Sequence, residues 1–260
     1  MDSYLSFSYV YDLFMDNVPY DTWAKNARNL LYDYGVKDGV VVDLGCGTGQ
    51  MTKRLADAGF TMIGMDLSED MLTIANEKRQ PGDILYTLQD MREFELHGTV
   101  KSFVSFCDSL NYIPSEEDLL EVFQRVNHYL EKGGIFLFDM NTPYKYEELL
   151  KDNTFAETRE EGSFIWENEY DPKTQNNIYD LTLYIKKDVL YQDGCEDFEQ
   201  FFETHVQHCF TVEKVEELLK KAGLLFIECI DADTLEAPTK QSERVYFIAK
   251  ENQKQETEDE

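Results

Sequence analysis

The chain has 260 residues, 42% of them hydrophobic, with 17 Phe and 16 Tyr, enough to bury one large α/β core or a core with a subdomain. Asp and Glu number 52 against 24 Lys and Arg, a net charge of −28, and Lys186–Lys187 and Lys220–Lys221 are isolated basic pairs rather than a stripe. Such a surface repels phosphate backbones, which argues against nucleic-acid partners. No apolar run approaches the ~18 residues of a membrane span, and no basic segment leads into an apolar run at the start, so a soluble cytoplasmic protein is expected.

Residues 1 to 35 read as helices with aromatic faces, first through Tyr9, Tyr11, Leu13 and Phe14, then from Pro19 through Trp23, Ala27, Leu30 and Leu31 to Gly35. Val40–Val42 is a buried strand. The side chains then vanish at Gly45, Gly47 and Gly49, a helix follows through Met51, Leu55 and Ala58, and Gly59 ends it. A second strand stops at Asp66. Strand, glycine turn, helix and strand ending in an acid make a unit in which a ligand can approach bare backbone and the acid can accept hydrogen bonds from ribose hydroxyls. The spacing is G-x-G-x-G, with Gln50 where a dinucleotide fingerprint has its third glycine.

Ser68 caps a helix running toward Arg79, Pro81–Gly82 is a turn, and Ile84–Leu88 is a third strand ending at Asp90–Met91. A fourth strand, Val100–Phe106, ends at Cys107–Asp108–Ser109. Ser115 caps a helix through Leu119, Val122, Phe123, Val126 and Leu130 that Gly133–Gly134 should end. A fifth strand from Ile135 then reaches Asp139. From Tyr144 to about Cys209 the period becomes two, over 164–170, 178–185 and 198–206, with a turn at Asp171–Pro172. This reads as an inserted antiparallel sheet carrying exposed-face aromatics, Trp166, Tyr170, Tyr179, Tyr184 and Phe202. Thr211 caps a last helix to Gly223, two strands follow (225–230 and 245–249), and 253–260 is an acidic tail.

The expected fold is α/β: a doubly wound, Rossmann-like, mostly parallel seven-stranded sheet with an inserted antiparallel sheet. The core is 1–143 plus 210–252, with 1–35 as a helical lid and 144–209 as the insertion. Five scattered cysteines, Cys46, Cys107, Cys195, Cys209 and Cys229, show neither zinc-ligand spacing nor a disulfide framework, so no metal is expected.

The Asp43-x-Gly45-x-Gly47-x-Gly49 block with Asp66 ending the second strand resembles class I S-adenosylmethionine-dependent methyltransferases. Tyr11–Phe14, Gly64–Leu72, Asp90–Arg92 and Asp108–Tyr112 are similar to the bacterial small-molecule group that includes amino-sugar N,N-dimethyltransferases. The resemblance spans about 4–142, resumes at Thr211, and is poorest in the insertion. It implies S-adenosylmethionine as cofactor and a small-molecule acceptor methylated at N or O. The alternative is a cofactor-binding module without transferase activity, or one using a modified cofactor. By the same resemblance Asp43 and Gly49 would belong to the cofactor-binding set, and Gly45, Cys46 and Gly47 would back the methionine moiety. Asp66 would take the ribose hydroxyls, and Leu67 and Met71 would flank the adenine. Asp90 and the Met91 backbone would bind the adenine edge, and Cys107 and Asp108 would lie near the sulfonium. Tyr11, Tyr20 and Trp23 would form an aromatic lid.

Methyl transfer is an in-line displacement from an activated donor, so alignment and water exclusion carry most of it. Tyr11 and Tyr112 are the candidates nearest the methyl group; His205 and His208 are secondary ones. The fourth strand's end lacks both the Pro-Pro-aromatic block of amino-methylating DNA enzymes and the Pro-Cys of cytosine-C5 enzymes. The inserted sheet is expected to roof the site and select the acceptor, and a homodimer is its other use.

Overall fold

The computed structural model describes residues 11–79, 84–187, 196–252 and 254. The helix expected before Tyr11, the Pro81–Gly82 turn, Cys195 and nearly all of the acidic tail lie outside the described residues. A helical turn at 11–14 precedes α1 (Tyr20–Asp33), β1 (Val40–Leu44), α2 (Gln50–Asp57), β2 (Thr61–Asp66), α3 (Glu69–Lys78) and β3 (Ile84–Leu88). β4 (Val100–Ser105), a 3₁₀ turn (Ser109–Tyr112), α4 (Glu116–Tyr129) and β5 (Leu130–Asn141) follow. A π-helical turn (Lys145–Leu150) then leads to β6 (Thr154–Thr158), β7 (Gly162–Asp171), β8 (Asn176–Lys186) and β9 (Phe198–His208). The chain closes with α5 (Val212–Lys221), β10 (Leu224–Asp231) and β11 (Arg244–Glu251).

Seven strands form one sheet in the order β10-β11-β5-β4-β1-β2-β3, and β11 is antiparallel to both its neighbours. Strand order reverses between β1 and β4, so the carboxyl ends of these two strands open the crevice where ligands bind in doubly wound sheets. α4 and α5 pack on one face through Leu119, Phe123, Val126, Val215 and Leu219. α1 and α2 cover the other through Ala27, Leu31, Met51 and Leu55. The expected caps are present: the hydroxyls of Ser68, Ser115 and Thr211 accept from the backbone N–H of Met71, Asp118 and Lys214.

Gly133–Gly134 does not end α4, which stops at Tyr129. The pair lies inside β5, where Gly133 has φ +72° and the β4–β5 register slips between Val100 and Ser102. The glycines therefore make a bulge rather than a helix cap.

The insertion is a second, four-stranded antiparallel sheet in the order β6-β7-β8-β9, joined as expected by a turn after Asp171. It is not purely extended. Lys145–Leu150 is π-helical, and β6 is an extra edge strand. β6 (Thr-Phe-Ala-Glu-Thr) is short and lies mostly exposed, so it carries little alternation to detect. The register corrects the expected exposed face. Trp166 pairs with Leu181, and Tyr179 with His205, on the side that faces the core. Trp166, Tyr170 and Tyr179 are half-buried there, whereas Phe202 stands 63% exposed on the opposite side.

Candidate active site

The carboxyl ends of β1, β2 and β4, the N-terminal segment and the inner face of the four-stranded sheet line one cleft of about 1490 Å³. Every residue proposed for the cofactor except Gly49 lines it, and so do Tyr112 and His205; His208 does not.

The glycine loop is shaped by its neighbours. Gly45, Gly47 and Gly49 have φ of +70°, +52° and +78°, a region that side chains disfavour. A Cβ on Gly45 would meet Ser109 at 2.6 Å and one on Gly49 would meet the Tyr86 hydroxyl at 2.3 Å, whereas at Gly47 it would meet nothing within 4 Å. Gly45 and Gly49 thus serve packing, and Gly47 leaves bare backbone toward open space. Asp66 fixes this loop: its carboxylate accepts from the N–H of Gly47 at 2.7 Å and of Ser68 at 2.9 Å. Burial pushes the Asp66 carboxyl up while those bonds pull it down.

Asp43 lies beneath the loop, 2% exposed, and accepts from the Thr52 hydroxyl at 2.6 Å. Burial raises its carboxyl to about 7. A carboxylate so placed favours a cation beside it. Asp90 is held by Arg92, whose side chain and backbone N–H both donate to it, and this pairing keeps the carboxyl low. Leu67 is 68% exposed at the rim, an apolar surface unoccupied by protein.

At the other end, Cys107 and Asp108 adopt φ of +60° and +52°, a conformation held only when the surroundings enforce it. The enforcing group is Asp139, fully buried at the end of β5, which accepts from both backbone N–H groups at 3.1 and 2.7 Å. Arg244, from the start of β11, donates to Asp108 at 2.6 Å, lies 2.9 Å from Asp139, and sits under the Trp23 ring at 4.9 Å. Burial opposes the charge on Arg244, but Asp139 and Asp108 overcome it and hold the guanidinium well above its ordinary value. Burial and Arg244 together lower the nearby Lys145 ammonium. Sequence reasoning named neither Arg244 nor Lys145. The visible signal was a lone arginine opening the last strand of an acidic chain.

The second sheet is bolted to this corner. Gln207 donates to Asp108 at 2.6 Å and accepts from the Tyr146 hydroxyl at 3.0 Å, while Asn111 donates to the His208 carbonyl at 2.9 Å. The N-terminal segment clasps both halves. Asp12 accepts from Thr48 at 2.7 Å and Gln50 at 3.0 Å on the glycine-loop side. Asp16 pairs with Arg159 at 2.8 Å, and Phe14 meets Phe164 edge-on, on the second sheet. Tyr20 and Trp23 contact each other edge-on within the cleft wall. Burial raises the Tyr11 and Tyr20 phenols, so they present neutral hydroxyls.

S-adenosylmethionine fits this donor set. It is cationic at its sulfonium and its ammonium, and the acids lining the cleft far outnumber Arg92, Lys145 and Arg244. It has no phosphate, and the loop supplies no basic group for one. Among the described residues no cluster of His, Cys, Asp or Glu could hold a metal, and no helix is long and apolar enough to cross a membrane.

The fold and cleft define a methyltransferase of the Rossmann-like class, and residues 41–134 match the family described as a methyltransferase domain. The chain is 38% identical to the putative methyltransferase YqeM of Bacillus subtilis over 95% of its own length and 96% of that protein's. It is 32% identical to a dTDP-3-amino-3,4,6-trideoxy-α-D-glucopyranose N,N-dimethyltransferase of Streptomyces venezuelae, over 55% of this chain and 59% of that one. The solved structure of an S-adenosylmethionine-dependent methyltransferase from Clostridium acetobutylicum superposes with a TM-score of 0.83 at 26% identity, covering 96% of this chain and 99% of that one. The chain belongs to the S-adenosylmethionine-dependent methyltransferase family. It is an enzyme of that family, with S-adenosylmethionine as its cofactor.

Proposed function

We propose that the chain transfers the methyl group to an amine nitrogen of a small molecule bound between the seven-stranded core and the inner face of the second sheet. The observation that carries this is the lining of that half of the cleft. Glu157, Glu203 and His205 face it from the second sheet and Asp108 and Glu243 from the core, against Lys145 and Arg244, so acids outnumber bases there and the space favours a cation over an acid. The amino-sugar acceptor in the name of the Streptomyces venezuelae relative supports the same class. Asp43 and Gly45–Gly49 would hold the amino-acid end of the cofactor, Asp66 the ribose, and Leu67, Met71, Asp90 and Met91 the adenine. Cys107 and Asp108 would hold the methyl-bearing end against Tyr11, Tyr20, Trp23 and Tyr112. The clasp at Asp12 and Asp16 would exclude water once both ligands are in place, which is the main task of such a site.

Incubation with methyl-labelled cofactor and a panel of amines, alcohols, phenols and carboxylic acids tests this reading. The amines include the amino-sugar nucleotide named for that relative. Label is expected on nitrogen of at least one amine, with negligible transfer to the acids. Label confined to oxygen or carbon acceptors would contradict the amine assignment.

A further inference from the structure

Three polar residues on the cleft side of the second sheet and the turn after β4 form a chain that the cofactor does not need. Glu203 and His205 are two apart on β9, so they share one face of the strand. Glu203 Oε2 lies 3.1 Å from His205 Nε2. An ionised carboxylate only accepts, so that nitrogen carries the imidazole proton and Nδ1 keeps its lone pair. Nδ1 lies 3.4 Å from the Tyr112 hydroxyl, which also meets the Tyr179 hydroxyl. The Tyr179 ring is stacked on the imidazole at 4.7 Å with planes 8° apart, and Tyr112 meets its edge at 5.9 Å. The ring is therefore fixed on both its face and its edge. The other carboxylate oxygen, Glu203 Oε1, is buried and has no hydrogen-bond partner among the described residues. A buried acceptor without a partner is costly unless something fills it.

We propose that Glu203, His205 and Tyr112 form a proton-accepting relay for an amine acceptor, with Glu203 Oε1 receiving the acceptor's N–H and His205 acting as the base through the Tyr112 hydroxyl. This rests on the amine reading above. An acceptor arriving as an ammonium ion gives one proton to the Tyr112 oxygen as the Tyr112 hydroxyl proton passes to His205 Nδ1. The imidazolium is held by Glu203 and later loses its proton to water. The freed nitrogen lone pair forms the N–C bond, the C–S bond breaks, and its electron pair returns to sulfur, leaving a neutral thioether. Tyr112 and Tyr179 cannot themselves be the base, because a phenol keeps its proton near neutral pH, and in Tyr179 burial and then the neighbouring Tyr112 phenol raise it further. The groups facing the imidazole include Glu203 from its own strand, Tyr179 from β8 and Tyr112 from the turn after β4. Asp108 lies behind them and is engaged by Gln207 and Arg244.

The test uses the amine panel with the unaltered chain and the His205→Gln, Glu203→Gln and Tyr112→Phe variants. S-adenosylhomocysteine binding is measured in each as a check on folding. His205→Gln is expected to lower kcat about 100-fold, with cofactor affinity within about twofold and the acid limb of the kcat/KM–pH profile abolished. Glu203→Gln removes the charge that stabilises the imidazolium, so the acid limb should move to lower pH and KM for the amine should rise. Tyr112→Phe should resemble His205→Gln. A His205→Gln enzyme that keeps both its rate and its acid limb overturns the relay alone. An unaltered chain that methylates no amine in the panel overturns the amine reading and the relay together. Equal loss of cofactor binding and activity in all three variants would mean that the cluster is merely structural, and also overturns the relay.

Discussion

Asp66→Ala should weaken S-adenosylhomocysteine binding roughly 10²- to 10⁴-fold, the largest effect expected of any single cofactor-side substitution. Two ribose hydroxyls donating to one charged carboxylate contribute about 1.5–3 kcal/mol each, and each 1.4 kcal/mol is a factor of about ten in affinity. The same oxygens hold the N–H groups of Gly47 and Ser68. Their loss frees the one glycine of the loop whose backbone meets open space. Asp66→Asn keeps one acceptor and should fall between the two. Calorimetric titration reads the effect directly, and unchanged affinity in Asp66→Ala would remove Asp66 from the ribose site.

Arg244→Gln should be the most destabilising change at the acceptor end. Asp139 is fully buried and Arg244 is 11% exposed, so the substitution strands a buried carboxylate rather than trimming a surface pair. Breaking such a pair costs about 3–5 kcal/mol, which for a chain of this size lowers the melting temperature by about 10 °C. The deficit depends on pH in a definite direction. Burial already raises the Asp139 carboxyl, so without Arg244 it is raised further and neutralises as pH falls. The stability gap between variant and native chain should therefore narrow toward pH 5 and widen toward pH 8. Asp139→Asn combined with Arg244→Gln should recover part of the loss, because no unpaired charge remains. Thermal unfolding across pH checks both points. A gap that is constant across pH would show that Arg244 acts by packing under Trp23 rather than by pairing.

The core was legible because its signals are local. Val40–Gly49, the serine and threonine caps and the acid at Asp66 each declare themselves within a few residues, and the residues proposed for the cofactor follow from them. The proposed acceptor half was legible only in part: Tyr112 and His205 were named from the sequence, but Arg244, Lys145 and Glu203 were not, because they converge only through register. Arg244 reaches Asp139 because β11 pairs antiparallel with β5, setting Arg244 opposite Asn141. Glu203 and His205 reach Tyr112 because the β8–β9 register sets them on the inner face, which meets the turn after β4. Single polar residues on alternating strands carry no mark of which face is inner, and Trp166 and Tyr179 were assigned to the exposed one for that reason. Asp12, which joins Thr48 and Gln50 to the N-terminal segment, lies in the Tyr11–Phe14 stretch, but nothing local there marks it as a clasp.

In the proposed mechanism one cleft holds two ligands, the cofactor against the core and the acceptor beneath the second sheet. The most direct measurement is a crystal structure of the chain with S-adenosylhomocysteine and a methylated amine from the panel. The ribose is expected on Asp66, the sulfur beside Cys107 and Asp108, and the amine nitrogen between that sulfur and the Tyr112–His205 pair. A cofactor seated with its sulfur turned to the outer rim, or an amine bound away from the inner face of the second sheet, would contradict it.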